Sequence, residues 1–285
     1  MTQQQKGTLL VFLASVCYSL GGICMKGIPW SGFAVNGGRT AIAVVVMGIY
    51  LWRTNQRLHF NRWIALGAAA VSCTNILFSV ANKMTTAANA IVLQYTAPIF
   101  VILLAALFIH KQPSRLDLVA CAVVFGGVLC FFVDSLSGGG LAGDMLALIS
   151  GITYAVVFML NDLPGGDALS SAFWGHVFSA AVGLPFVLQE RDFSAVPMIS
   201  MLVLGVFQVG AAFIFLGEGL KTTPPVTASL VSGIEPVLNP VLVAVFYPGV
   251  DRFGLSAIVG AVIVVGGVVG YNVLLARRVK TEIHK

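Results

Sequence analysis

The sequence predicts an all-α integral membrane protein: ten transmembrane helices, arranged as two inverted five-helix repeats around a central cavity. Three observations lead there. The chain is too apolar for water, it holds ten apolar stretches of spanning length, and one sequence frame returns after about 138 residues.

The 285 residues are 58% hydrophobic and only 9% charged, with a mean hydropathy of +0.95. A soluble domain carries about 25% charged residues, so this chain cannot coat a surface in water. Its solvent is a bilayer. The net charge of +5 does not point to nucleic acid. The basic residues stand at the ends of apolar spans and form no patch interleaved with aromatics. Cys17, Cys24, Cys73, Cys121 and Cys130 are odd in number, lie inside apolar spans and show no CxxC spacing. They read as small packing residues rather than disulfide partners or zinc ligands.

A span needs about 20 apolar residues to cross the hydrocarbon. On that basis the spans fall at roughly 7–25, 33–51, 63–82, 86–109, 116–133, 141–160, 168–188, 197–219, 225–247 and 254–275. The first follows Lys6 but no small-x-small cleavage site follows it, so it reads as a membrane helix rather than a signal peptide. Turn formers fill the short connections: Pro29, Gln112–Pro113, Gly138–Gly140, Pro164–Gly166 and Pro248–Gly249. With the N-terminus inside, eleven Lys and Arg fall on the inner face: Lys6, Arg53, Arg57, Arg62, Lys111, Arg115, Lys221, Arg277, Arg278, Lys280 and Lys285. Four fall outside: Lys26, Lys83, Arg191 and Arg252. This bias predicts a multi-pass protein of the cytoplasmic (inner) membrane with both termini cytoplasmic.

The repeat is clearest in KMTTAANAIVLQYTAP (83–98) and KTTPPVTASLVSGIEP (221–236). Shifted by 138 positions, Lys83 meets Lys221, Thr85 meets Thr223, Ala90 meets Ala228 and Pro98 meets Pro236. GTLLVFLASVCY (7–18) aligns with GDMLALISGITY (143–154) at a shift of 136. Leu66-Gly67 meets Leu204-Gly205 at 138, and Phe125-Gly126-Gly127-Val128 resembles Val265-Gly266-Gly267-Val268 at 140. The halves, residues 1–136 and 137–285, hold five spans each. An odd number makes the second half enter the membrane upside down. That is the architecture of secondary transporters, whose site lies near the midplane between the halves.

This layout resembles the drug/metabolite transporter superfamily, and within it the EamA-type ten-helix carriers. The likeness is carried by the Arg39 start of the second span, AANAIVLQYTAPIFVILLAALF (87–108), GDMLALISGITYAVVFML (143–160) and IEPVLNPVLVAVF (234–246). It covers essentially the whole chain. It implies a carrier of small molecules, with export favoured and amino acids or related amphipathic metabolites as the substrate class. In one respect the chain departs from the family. Relatives often end the fourth and ninth spans with Gly-Glu, where this chain has His110-Lys111 and Tyr247-Pro248. No role of that glutamate carries over.

The residues that could carry chemistry are polar groups on apolar helices, which must find partners or water in hydrocarbon. Glu235 stands out, because a carboxylate flanked by long apolar runs is costly. On a straight helix Ser229, Ser232, Glu235 and Asn239 share an arc of about 120°. Only the second repeat carries the acid. Glu235 either pairs with a substrate ammonium or takes up a proton, or it caps backbone around Pro236. The third span sets Ser72, Asn75, Ser79 and Asn82 within about 80°. The first offers Ser15, Tyr18, Ser19 and Gly22, and the sixth Ser150, Thr153, Tyr154 and Asn161. The fourth adds Asn89, Gln94 and Tyr95, and the eighth Gln208 with Glu218 near its end. These stripes are expected either to bond between helices or to converge on a wet cavity lined by spans 1, 3, 4, 6, 8 and 9. The expected substrate-binding set is Tyr18, Asn75, Ser79, Asn89, Gln94, Tyr95, Tyr154, Gln208, Ser232, Glu235 and Asn239.

Pro98 and Pro236 remove backbone donors within a span, so kinks at matching places in both halves are expected, with a further one at Pro240. Arg39 either binds a substrate carboxylate bidentately, snorkels to the interface or clamps a loop. His176, about 200° round the seventh span from Trp174, serves as a proton relay or as a packing residue. Trp174, Tyr18, Tyr95 and Tyr154 could stack on a ligand or fill core and belt positions. Gly126-Gly127 and Gly266-x-x-x-Gly270 should let the fifth and tenth spans pack closely.

The sequence holds no phosphate-binding loop, HExxH or GxSxG motif and no metal-ligand cluster. No cofactor and no metal are expected. The partners expected are a small-molecule substrate, the lipid bilayer and, if Glu235 titrates, a proton. The alternatives are an organic-cation or drug exporter, a nutrient importer and, outside transport, a membrane enzyme using Glu235 with Glu218 or His176.

Overall fold

The computed structural model describes residues 1–85, 87–110, 112–134, 136, 140–246 and 254–283. Every apolar stretch that the sequence marks as a span begins or continues a helix there. Lys111, Arg252 and Lys285, the glycines Gly138 and Gly139, the Tyr247–Gly249 turn and the proposed boundary after residue 136 lie outside the described residues.

The first span is α1 (Gln3–Tyr18) followed by the short α2 (Gly21–Lys26). Thr2 starts it with a capping box: its hydroxyl accepts from the Gln5 amide, and the Gln5 side chain accepts from the Thr2 amide. The second span is α3 (Gly32–Arg53), capped by Ser31, and the third is α4 (Arg62–Met84), capped by Asn61. The fourth is two helices, α5 (Ala87–Gln94) and α6 (Ala97–Phe108), and the fifth is α7 (Arg115–Phe132). The second half opens with α8 (Leu141–Phe158) and α9 (Ala168–Val187). Its eighth span runs from α10 (Ala195–Val203) through a π-helical stretch, Leu204–Ala211, into α11 (Ala212–Leu220). The ninth is again two helices, α12 (Pro225–Ser232) and α13 (Glu235–Phe246). The last is α14 (Leu255–Ile283).

Among the described residues, nine helices are long and apolar enough to cross a membrane. The tenth expected span corresponds to α9. It has twenty residues, but His176, Trp174 and three serines make it less apolar than the others, and it packs among α3, α4 and α11.

Packing repeats the duplication seen in the sequence. The first span lies on the eighth as the third lies on the sixth, through the pairs α1 with α11 and α4 with α8. The second span packs on the seventh, its own counterpart, and the fifth on the tenth. Counterparts run antiparallel. Gly37 near the start of α3 meets Gly183 near the end of α9, and Gly260 near the start of α14 meets Phe131 near the end of α7. The two halves are therefore inverted copies. Large apolar side chains such as Val45, Leu107 and Val262 stay exposed on the outside of the bundle, as they must in a helix that faces lipid.

The breaks fall where the prolines predict. Neither Pro98 nor Pro236 has an amide hydrogen to give to the carbonyl four residues back, Gln94 or Ser232. The chain closes both breaks with the same bonds, shifted by 138. Thr96 N–H donates to Leu93 O at 3.3 Å, and Ile234 N–H to Val231 O at 3.2 Å. Then Ile99 N–H donates to Thr96 O, and Val237 N–H to Ile234 O. Pro240 has a different outcome, since α13 continues through it.

The small-residue expectation for the fifth and tenth spans holds at Gly127 and fails at Gly126, Gly266 and Gly270. Gly126, Gly266 and Gly270 face open space, with nothing within 4 Å of where a Cβ would stand. The contact is made by their neighbours Gly127, Gly260 and Gly267. Adjacent glycines differ by about 100° around a helix, so one of each pair faces the partner and the other faces outward. At Gly37 a Cβ would fall 2.3 Å from the Gly183 carbonyl carbon, and backbone cannot yield as a side chain can. Gly37→Ala should destabilise the protein by about 1–3 kcal/mol, whereas Gly266→Ala should stay within about 0.5 kcal/mol of the parent. Unfolding of the purified variants in detergent compares them, and equal effects would refute the contact.

Candidate functional site

A cavity of about 730 Å³ opens within the bundle, a size suited to a small metabolite. Its described lining extends to the end where the first span finishes (Pro29), the third finishes (Asn82, Lys83) and the tenth begins (Gly254, Ser256). At the other end the halves are shut. A Cβ on Gly7 would fall 2.8 Å from Gly219 O, so α1 and α11 touch through backbone. Beside them Glu218 accepts hydrogen bonds from Tyr50 (3.1 Å), Gln56 (2.8 Å) and Lys221 (2.8 Å).

Both helix breaks turn toward the cavity. At the first, Tyr95 closes α5; at the second, Glu235 opens α13, and the Tyr95 hydroxyl donates to the Glu235 carboxylate. The acid and its donor thus come from opposite halves. The frame shifted by 138 puts Gly233 opposite Tyr95 and Ala97 opposite Glu235, so the bond has no mirror image. Gly151 of α8 lets that helix approach the first break: a Cβ there would stand 2.9 Å from Gln94 O. At the equivalent place in the first span stands Ser15, whose hydroxyl reaches Ser232 at 3.5 Å.

Of the sequence-predicted residues, Tyr18, Ser79, Tyr95, Gln208, Glu235 and Asn239 line the large cavity. Asn75, Gln94 and Tyr154 border an adjoining pocket of about 40 Å³, shared with Tyr18, Arg39, Gln208, Phe213 and Glu235. Two lie elsewhere. Asn89 donates to Asp144 at 3.3 Å, next to the Thr85–Asp144 bond, and Ser232 faces Ser15. The shared arc drawn for Ser229, Ser232, Glu235 and Asn239 assumed one straight helix; the break at Gly233–Ile234 divides it.

The lining differs from the one expected. The second span contributes Val35 and Arg39, the fifth Phe131, Phe132 and Asp134, and the tenth Ser256 and Ala257. The sixth reaches only the small pocket, through Tyr154. The apolar wall, with Phe78, Phe131 and Phe132, carried no sequence signal. In a membrane helix a phenylalanine facing a cavity looks like one facing lipid. The other polar stripes act as glue: Ser72 bonds Ser179 and Thr74 bonds Thr153, each at 2.8 Å.

Arg39 was the residue whose role the sequence left open. It does not snorkel, for it is 2% exposed. Its guanidinium donates to Ser79 (2.8 Å), Gln208 (3.2 Å), Asn36 (3.3 Å) and Asn75 (3.4 Å). Gln208 reaches it from the π-helical stretch, where the wider turn displaces the side chain relative to an α-helix. His176 is fully buried, packs edge-on against Phe213 at 4.5 Å, and has no hydrogen-bond partner on either ring nitrogen. Trp174 stands away from the cavity, donating to His59 O at 3.3 Å and packing on Phe60.

Comparison with known proteins agrees with this arrangement. The model of the EamA-like transporter family matches the chain twice, over residues 5–133 and 141–273. An uncharacterized transporter of Clostridium kluyveri is 25% identical, with 94% of each chain covered. A solved crystal structure superposes with a TM-score of 0.80 over 96% of this chain and 99% of the other, at 18% identity. That last likeness is one of fold.

Tyr95→Phe removes the donor to Glu235 while keeping the ring. Hydrogen bonds to charged groups contribute about 1.5–3 kcal/mol, and the thermal midpoint in detergent should fall accordingly. An unchanged midpoint would mean that the bond contributes nothing to the folded state.

Proposed function

We propose that this chain, which belongs to the EamA-like transporter family, is a secondary carrier of the cytoplasmic membrane that exports a small amphipathic metabolite, such as an amino acid, by alternating access. The observation that carries this reading is the cavity itself. It is walled by both inverted halves, reaches one end of the bundle, and holds Glu235 in its interior with a second acid, Asp134, at its mouth beside Ser256.

A cavity reaching one end represents one station of a carrier's cycle. For the other, the backbone contact between α1 and α11 must part and the bonds gathered on Glu218 must break, while the mouth near Pro29, Lys83 and Gly254 closes. The helix breaks provide places for the halves to bend without exposing unpaired backbone to lipid. The positive-residue bias supports termini in the cytoplasm; with that orientation the cavity faces outward, the state from which an exporter releases cargo. Glu235 would hold the cargo's ammonium or exchange it for a proton. Phe78, Phe131 and Phe132 would take its apolar part.

The tyrosine rings beside Glu235 also suit an organic cation, which keeps a drug or organic-cation exporter as the alternative. Arg39 in the same cavity opposes that reading, because it repels a purely cationic cargo. An enzyme would need a second group beside Glu235. Glu218 stands at the closed end with Lys221, and His176 lines neither pocket.

The test is flux in proteoliposomes, with amino acids compared against cationic dyes. Glu235→Gln should slow amino-acid counterflow at least tenfold, an effect of about 1.4 kcal/mol or more, and flatten its pH dependence. Wild-type flux with unchanged pH dependence would remove Glu235 from the mechanism.

A further inference from the structure

Arg39 is a buried cation that the protein itself leaves without a counter-charge. It makes no ion pair with any described residue. Its four partners, from α3, α4 and the π-helical stretch, are neutral amide and hydroxyl oxygens. A guanidinium has five N–H donors. Here Nε–H is buried with no partner, and Nη1, with two hydrogens, makes one bond. Burying an unpaired charge is costly, and neutral dipoles only partly compensate. A residue that served only to tie helices together would be cheaper as an amide, or would be given a carboxylate. This one is held rigidly, half-satisfied, against a cavity whose acids, Glu235 and Asp134, bond Tyr95 and Ser256 rather than Arg39.

We propose that Arg39 is an anion-binding residue of the cavity and holds a carboxylate of the cargo, through its charge and its remaining Nη1–H donor. The proposal rests on the carrier reading above. It adds that the cargo must bear an anionic group, so that Arg39 and Glu235 together select a zwitterion over an amine. Free halide offers the same charge, and the experiment separates the two.

Gln208→Glu places a carboxylate where Gln208 Oε1 now meets Nη1, giving Arg39 an internal counter-ion at almost no change in shape. Wild type, Gln208→Glu and Arg39→Gln would each be titrated, by thermal shift in detergent, with phenylalanine, leucine and methionine and with their methyl esters. Butyrate and chloride would be titrated alongside. Wild type should bind the acids more tightly than the esters. Gln208→Glu should unfold at a higher temperature yet bind the acids about ten- to a hundredfold more weakly, as loss of a charge-assisted bond predicts. Its affinity for the esters, which are cations, should rise relative to that for the acids, and butyrate should stabilise wild type alone. Arg39→Gln should likewise lose the preference for acid over ester.

A purely structural Arg39 predicts the same rise in unfolding temperature for Gln208→Glu with acid binding untouched, and that result would overturn the proposal. Stabilisation of wild type by chloride as strongly as by butyrate, with acid and ester equal, would overturn it in favour of a free anion. If neither acids nor esters bind wild type, the amino-acid reading fails. The butyrate titration of wild type against Gln208→Glu then still decides whether Arg39 receives a carboxylate.

Discussion

Within hydrocarbon a helix must satisfy its own backbone, because no water is there to do it. The two proline breaks are therefore the constraint on which the rest depends. At Tyr95–Thr96 and again at Gly233–Ile234 the chain gives up regular helical bonding, and it does so facing the interior cavity. Each break is closed by the same short-range bonds in the same register. Each sets a helix start, that of α6 or α13, at the cavity wall. Without the breaks the fourth and ninth spans would be straight rods, and Tyr95 and Glu235 would not meet.

The duplication makes a nearly symmetric frame, and the Tyr95–Glu235 bond forms where the symmetry is broken. Tyr95 stands opposite Gly233, and Glu235 opposite Ala97. The Tyr95–Glu235 pair is polarised as a result: the second half gives the acid and the first gives its donor. Ser15 and Gly151 show the same divergence on the neighbouring helices. One carries a hydroxyl that reaches Ser232, the other nothing, which lets α8 press against the carbonyl of Gln94.

The closed end is built from the opposite materials. There α1 and α11 meet through backbone at Gly7 and Gly219, and the polar contacts around Glu218 lie partly in water. Contacts of that kind are individually weak, since exposed ion pairs contribute little. A closure that must open in every cycle of the proposed carrier is well served by them. The scaffold pairs, α3 with α9 and α7 with α14, instead use glycine-mediated backbone contact, and nothing in the proposed cycle requires them to part.

Hydropathy, the 138-residue frame and the paired prolines determined the class of fold, the inverted halves and the places where helices break. All three are local properties that lipid converts directly into structure. Glu235 stood out for the same reason: a carboxylate in an apolar run is costly wherever it is placed. Three things waited for the tertiary structure. Which glycine of each pair faces a partner depends on rotation about the helix axis, and that is set by packing across the bundle. Which phenylalanines line the cavity rather than face lipid is invisible where both surroundings are apolar. The surroundings of Arg39 were hidden too, because Asn75, Ser79 and Gln208 lie far from it along the chain. They surround one guanidinium only after three spans have packed and the π-helical stretch has turned Gln208 toward it.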